Sequence, residues 1–140
     1  MQRLRLLIIR LMAAVYDALI LVAIWIMATL ALMPFTGGAI DPPLPWNIPF
    51  DLYIFGVSFL YLGGLWRKTG QTLGARAWRL KVVAADGGQV SWREALLRAV
   101  TGTFAIALAG IAWLWMLFDR DGLALHDRLS GTRMVRVPKE

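Results

Sequence analysis

Apolar residues fall into three long blocks separated by polar segments. The first, Leu11–Met33, runs 23 residues and carries one charge, Asp17. At 1.5 Å per residue it is long enough to cross a ~30 Å hydrocarbon core. Pro34 is expected to end it. Phe35–Pro49 holds Gly37, Gly38, Pro42, Pro43, Pro45 and Pro49 and reads as a loop. The second block is Phe50–Trp66, with Trp46 at its edge. Trp46, Tyr53 and Trp66 suit the two membrane interfaces, where aromatic rings bridge wet and dry. The third block is Ala99–Phe118.

The polar segments have a pattern of their own. In the insert Arg67–Trp92, the run Trp78–Ala84 predicts a short strand, and Asp86-Gly87-Gly88 predicts the turn after it. Ser91-Trp92-Arg93-Glu94 has the spacing of a capping box, so a helix should start there and run into the third block. In the tail Asp119–Glu140, Thr132–Val137 is a second strand candidate. The two strands can pair if insert and tail share one side of the membrane. The predicted fold is a single domain over residues 1–140, an all-α polytopic membrane protein. It has two full transmembrane helices, a third apolar segment and a small cytoplasmic β-unit.

Composition agrees. The chain is 59% hydrophobic, against the 45–50% usual for soluble domains. The net charge of +6 could suggest nucleic acid. Its Lys and Arg instead cluster beside the apolar blocks, where the positive-inside rule places them, so no nucleic-acid partner is expected. The absence of Cys and the single His exclude disulfides, thiolate metal sites and a multi-histidine site within one chain. The N-terminus is basic and then apolar, like a signal peptide. Its apolar stretch is too long and lacks a small-residue cleavage site, so it reads as an uncleaved first span.

Charge also poses a topological conflict. Arg3, Arg5 and Arg10 at the N-terminus and the basic insert belong in the cytoplasm, and the proline-rich loop outside. A third full span would then export a tail holding Arg120, Arg128, Arg133, Arg136 and Lys139. Either the third block crosses and the tail breaks the charge rule, or the block returns as a re-entrant hairpin hinged at Gly110. The five basic residues favour the hairpin; the unbroken apolar run without proline favours one helix.

Asp17 is the main candidate for chemistry, because a carboxylate inside a span costs at least ~2.5–3.5 kcal/mol and needs a partner or a purpose. Arg10 lies roughly 10 Å along the same axis, too far to pair directly. Arg98, then Arg128, is the expected partner. Asp17 either carries a proton or cation or forms a structural ion pair; the available arginines weigh toward the pair. Arg10 and Arg98 otherwise snorkel to headgroups. His126 and Asp127 read as a turn or cap, or as a pH-sensitive contact. Asp51, Gln71 and Thr72 are secondary candidates: Asp51 solvated at the outer interface, Gln71 and Thr72 capping a helix or lining a vestibule. Trp113, Trp115 and Met116 read as lipid- or interface-facing. No catalytic triad, phosphate loop or metal-ligand spacing appears, so neither enzyme activity nor a cofactor is expected.

Several motifs carry a resemblance. Arg10-Leu-Met-Ala-Ala-Val-Tyr-Asp17, Gly70-Gln-Thr-Leu-Gly74, Leu80-Lys-Val-Val83, Leu97-Arg98 and Leu125-His-Asp127-Arg-Leu-Ser-Gly-Thr132 together resemble the RDD family of membrane proteins over almost the whole chain. One departure is Ala75-Arg76 after Gly74, where many relatives have Lys-Arg. The resemblance implies a multi-pass protein of the bacterial inner membrane, N-terminus cytoplasmic, with Arg10, Asp17 and Asp127 as its named residues. Cation–proton exchange and other transport have been proposed for members. Two functions are therefore expected as rivals. One is transport of an ion or small solute through Asp17, which in so small a chain needs a homo-oligomer or a membrane partner. The other is a non-transporting adaptor or assembly subunit. Both have the lipid bilayer as a partner.

Overall fold

A computed structural model describes residues 2–37, 48–108 and 110–138. Most of the proline-rich loop, with Trp46, and Lys139 of the tail lie outside the described residues. The order of elements is α1 (Gln2–Thr36), α2 (Ile48–Lys68), α3 (Leu73–Ala77), β1 (Leu80–Ala84), α4 (Trp92–Ala107), α5 (Ile111–Phe118), α6 (Leu125–Ser130) and β2 (Thr132–Arg136).

The first helix is longer than its apolar block. It begins at Gln2 because Arg3, Arg5 and Arg10 are good helix formers and do nothing to break it. Pro34 does not end the helix at once: α1 runs on to Thr36, with the proline in its last turn, where its missing N–H gives up one bond to the preceding turn. The 35 residues make a rod of about 52 Å, well beyond a ~30 Å hydrocarbon core. Both α1 and α2 are long and apolar enough to cross a membrane. They are tied by Trp25 Nε1 donating to Ser58 Oγ (2.7 Å) and Tyr53 Oη donating to the Ala28 carbonyl (3.0 Å). Tyr53 is thus a helix–helix tie and not simply an interfacial ring.

The two predicted strands pair antiparallel, Leu80 opposite Arg136 and Ala84 opposite Thr132. The outer edge of β1 is covered too, by Val82 N–H donating to the Gly70 carbonyl and Gln71 Nε2 donating to the Leu80 carbonyl. The Asp86-Gly87-Gly88 turn follows, its Gly88 N–H held by Asp86 Oδ1. Leu80 and Val82, two residues apart, share one face of the strand. Leu80 packs with Ile9, Ala13 and Ala75; Val82 packs with Val90, Ala95, Phe59 and Trp66. The β-unit therefore glues the first half of α1 to the end of α2 and the start of α4. Trp66, expected at an interface, belongs to this core.

The third apolar block is not one helix. The capping box forms as expected, Ser91 Oγ accepting from Glu94 N–H and Glu94 Oε2 accepting from Ser91 N–H. The helix then stops after Ala107, and Gly110 takes a left-handed conformation (φ 80°) before α5 begins. Only glycine adopts that conformation without a Cβ penalty. The block is thus two helices, α4 and α5, broken at Gly110. Arg3 of α1 donates to the carbonyls of Asp119 (2.8 Å) and Arg120 (3.2 Å), just beyond α5. These carbonyls follow the negative end of a helix, where a cation is favoured.

Candidate functional site

The molecule's charged centre is Asp127. It is 0% exposed and sits in the first turn of α6. Arg10 Nη1 from α1 donates to its Oδ2 (2.9 Å), and Arg98 Nη1 from α4 donates to its Oδ1. Arg98 also donates to Thr132 Oγ1 (3.0 Å), which meets Ser130 Oγ at 2.7 Å. Arg10 further reaches the Met134 carbonyl (2.9 Å) and Met116 Sδ (3.2 Å). Arg98 lies over the Trp66 ring, 5.3 Å from its centroid. The triad of Arg10, Asp127 and Arg98 thus ties together α1, α4, α5, α6 and β2, the carboxylate holding the two arginines and the arginines reaching α5 and β2. Burial works to raise the Asp127 pKa, but the charge of Arg98, with His126 and Arg10, outweighs it and holds the group below the usual carboxylate range.

This overturns the expected pairing of Asp17 with Arg98 or Arg128. Arg98 is committed to Asp127. Arg128 binds Asp119 (2.8 Å) and Asp121 (3.0 Å). Neither Arg10 nor Arg98 snorkels; both are buried. Met116, read as lipid- or interface-facing, is buried against Arg10.

Asp17 instead receives neutral donors. Thr72 Oγ1 donates to its Oδ2 (2.5 Å) and the Gly74 N–H to its Oδ1 (2.9 Å). Thr72 is the N-cap of α3, its hydroxyl also accepting from Ala75 N–H (3.1 Å). The first turn of α3 presents the N–H groups that helix geometry leaves free, and these suit a carboxylate. The approach is close because residue 74 is glycine: a Cβ there would stand 2.2 Å from the Ala13 carbonyl oxygen. Asp17 is half-buried and has no cationic partner among the described residues. Of the other expected residues, Thr72 caps as predicted, Gln71 braces β1, and Asp51 is exposed in the first turn of α2. Sequence reasoning missed three residues. Thr132 stood only as a strand start and Gly74 only as part of a motif. Asp119 holds the Asp121 and Leu123 N–H groups, and those bonds, Leu123 foremost, lower its pKa. Its place just after an apolar block and two residues before another Asp was the available signal.

His126 is buried beside the triad, with its ring 5.5 Å from that of Trp113 and Nε2 3.6 Å from Asp127 Oδ1. Burial foremost, then the Arg98 charge, pushes its pKa down from 6.5 to about 4. It is neutral at physiological pH. Because the folded pKa lies below the unfolded one, the stabilisation is complete above about pH 6.5 and is lost as pH falls toward 4, by roughly 3 kcal/mol. Melting of the detergent-solubilised protein should therefore drop across this window. His126→Phe should flatten the drop; an unchanged pH profile would refute a buried neutral imidazole.

Among the described residues there is no group of three or more metal-ligating side chains. The family model for the RDD family matches residues 5–131 of this chain. No curated protein and no solved structure matches it.

Proposed function

The chain belongs to the RDD family of membrane proteins, and from that premise we propose that it serves as a non-catalytic adaptor or assembly subunit of a bacterial inner membrane, its buried charges holding the fold and not carrying cargo. The observation that carries this reading is the enclosure of Asp127 between Arg10 and Arg98, each carboxylate oxygen taken by one guanidinium, with the three groups coming from three segments. A carboxylate so enclosed has no free face for a passing ion.

The same contacts support an orientation. Arg98 near the start of the third block and Met116 near its end both reach the Arg10–Asp127 pair. The block therefore enters and leaves on one side as a re-entrant hairpin. The positive-inside rule puts that side, with the N-terminus, insert and tail, in the cytoplasm. Pro138→Cys provides a unique thiol in a cysteine-free chain. It should resist impermeant reagents in intact cells; labelling from outside would reverse the assignment.

A specific observation favours a second reading, transport through Asp17: this carboxylate is half-exposed and unpaired by any cation among the described residues. Two spanning helices and a hairpin enclose no path alone, so a conduit requires a homo-oligomer or a membrane partner. Asp17→Asn separates the readings. The amide oxygen can accept from Gly74 and the amide nitrogen can donate to Thr72, so the variant should fold with its charge gone. In proteoliposomes, ion flux that wild type shows and Asp17→Asn lacks would establish transport. No flux in either supports the adaptor; equal flux in both would overturn the adaptor and move the path away from Asp17.

A further inference from the structure

A cleft of about 310 Å³ opens where α2 meets the β-unit, and we propose that it binds the phosphate of an anionic lipid headgroup. Three cations converge on it. Arg67 and Lys68 are the last two residues of α2, a helix long and apolar enough to span. Lys81 occupies the one exposed position of β1. The Lys81 stem lies across Gly70, where a Cβ would meet its Cγ at 2.9 Å and its Cε at 3.0 Å. The closest obstacle to a Cβ there is the Val82 carbonyl oxygen at 2.7 Å, so the bare glycine is what lets β1 dock on this segment, with the lysine stem lying across it. The opposite wall is the Gly87-Gly88-Gln89 turn, latched to α2 by Gln89 Nε2 donating to the Arg67 carbonyl.

These charges are not neutralised within the fold. Lys68 and Lys81 form no ion pair among the described residues, and Arg67 rests over the Trp92 ring at 5.7 Å. The acid of the adjacent turn, Asp86, has its Oδ1 engaged by the Gly88 N–H, and Arg133 lies beside Gly87. A basic cleft at the polar end of a span lies at headgroup depth, where an anionic phosphate is abundant and a lysine gains most from it. Lys68 and Lys81 act as mobile point charges, and Arg67 as the fixed donor at the helix end.

The test is native mass spectrometry of the full chain released from nanodiscs of mixed phosphatidylglycerol and phosphatidylethanolamine. Wild type should retain phosphatidylglycerol preferentially. Lys68→Gln and Lys81→Gln should each weaken retention about fivefold, and Lys81→Arg should keep it. Arg120→Gln, an exposed cation elsewhere, should change nothing. Both lysine side chains are exposed and make no hydrogen bond or ion pair among the described residues, so melting without lipid should match wild type. Inorganic phosphate that binds, competes with phosphatidylglycerol and is lost in the same variants would assign the cleft to a soluble phosphate. Equal retention of the two lipids would overturn the site. So would undiminished retention in both lysine variants, or a loss in Arg120→Gln as large as theirs.

Discussion

Asp127→Asn should lose most of the folded protein. The substitution leaves the guanidinium groups of Arg10 and Arg98, 5% and 4% exposed, facing one another with no counter-charge. Removing one partner of a buried ion pair costs ~3–5 kcal/mol in soluble proteins, comparable to the whole stability of a small domain. The ranking of variants is more diagnostic than any single value. Arg98→Met still leaves Asp127 paired with Arg10, so it should be milder than Asp127→Asn, and Arg10→Met should be similarly mild. The double variant Asp127→Leu with Arg98→Met leaves one buried cation, so it should recover part of the yield lost by Asp127→Asn. Size-exclusion profiles and melting in mild detergent read all of these. If Asp127→Asn folds as well as Arg98→Met, the carboxylate is not the hub that its contacts indicate.

Gly74→Ala should detach the polar insert from the first helix. A Cβ at residue 74 would lie 2.2 Å from the Ala13 carbonyl oxygen and 2.9 Å from Asp17 Cγ. The obstacle is backbone, which cannot rotate aside, so α3 must move away. Overpacking of this kind costs ~1–3 kcal/mol, and here it also removes both donors from Asp17. Hydrogen exchange should accelerate at the Gly74 and Ala75 amides, and Gly74→Val should be worse. Asp17→Asn, which can keep both bonds, should leave exchange nearly unchanged. The contrast separates docking geometry from charge: equal protection in Gly74→Ala and wild type would mean that α3 does not rest on α1.

Much of the architecture follows from local pattern. The spacing of Ser91 and Glu94 implies a helix start, and the capping box forms there. The valine-rich runs imply two strands, and these form at Leu80–Ala84 and Thr132–Arg136. Blocks at 11–33 and 50–66 imply two helices able to span, and α1 and α2 are such helices. These inferences depend on neighbours within a few residues, where periodicity and propensity act directly. Their errors lie at the edges: α1 starts nine residues before its apolar block, because a helix continues through arginines as readily as through leucines.

Which charge meets which was another matter. The sequence by itself determined that Arg10, Asp17, Arg98 and Asp127 sit beside or within apolar blocks and need partners. It carried no signal for the partners, because Arg10 and Asp127 are 117 residues apart and Arg98 and Asp127 are 29 apart. An acid embedded in an apolar run predicts an arginine partner. The tertiary structure supplied instead the N-terminus of a five-residue helix, whose free N–H groups leave no mark in composition or charge. The arginines were then free for Asp127, which looked like a turn residue. Ion pairs and hydrogen bonds act only over a few ångströms. Their pairing is therefore decided where the chain brings side chains together, at the fold of the third block about Gly110 and the docking of Gly74 on α1.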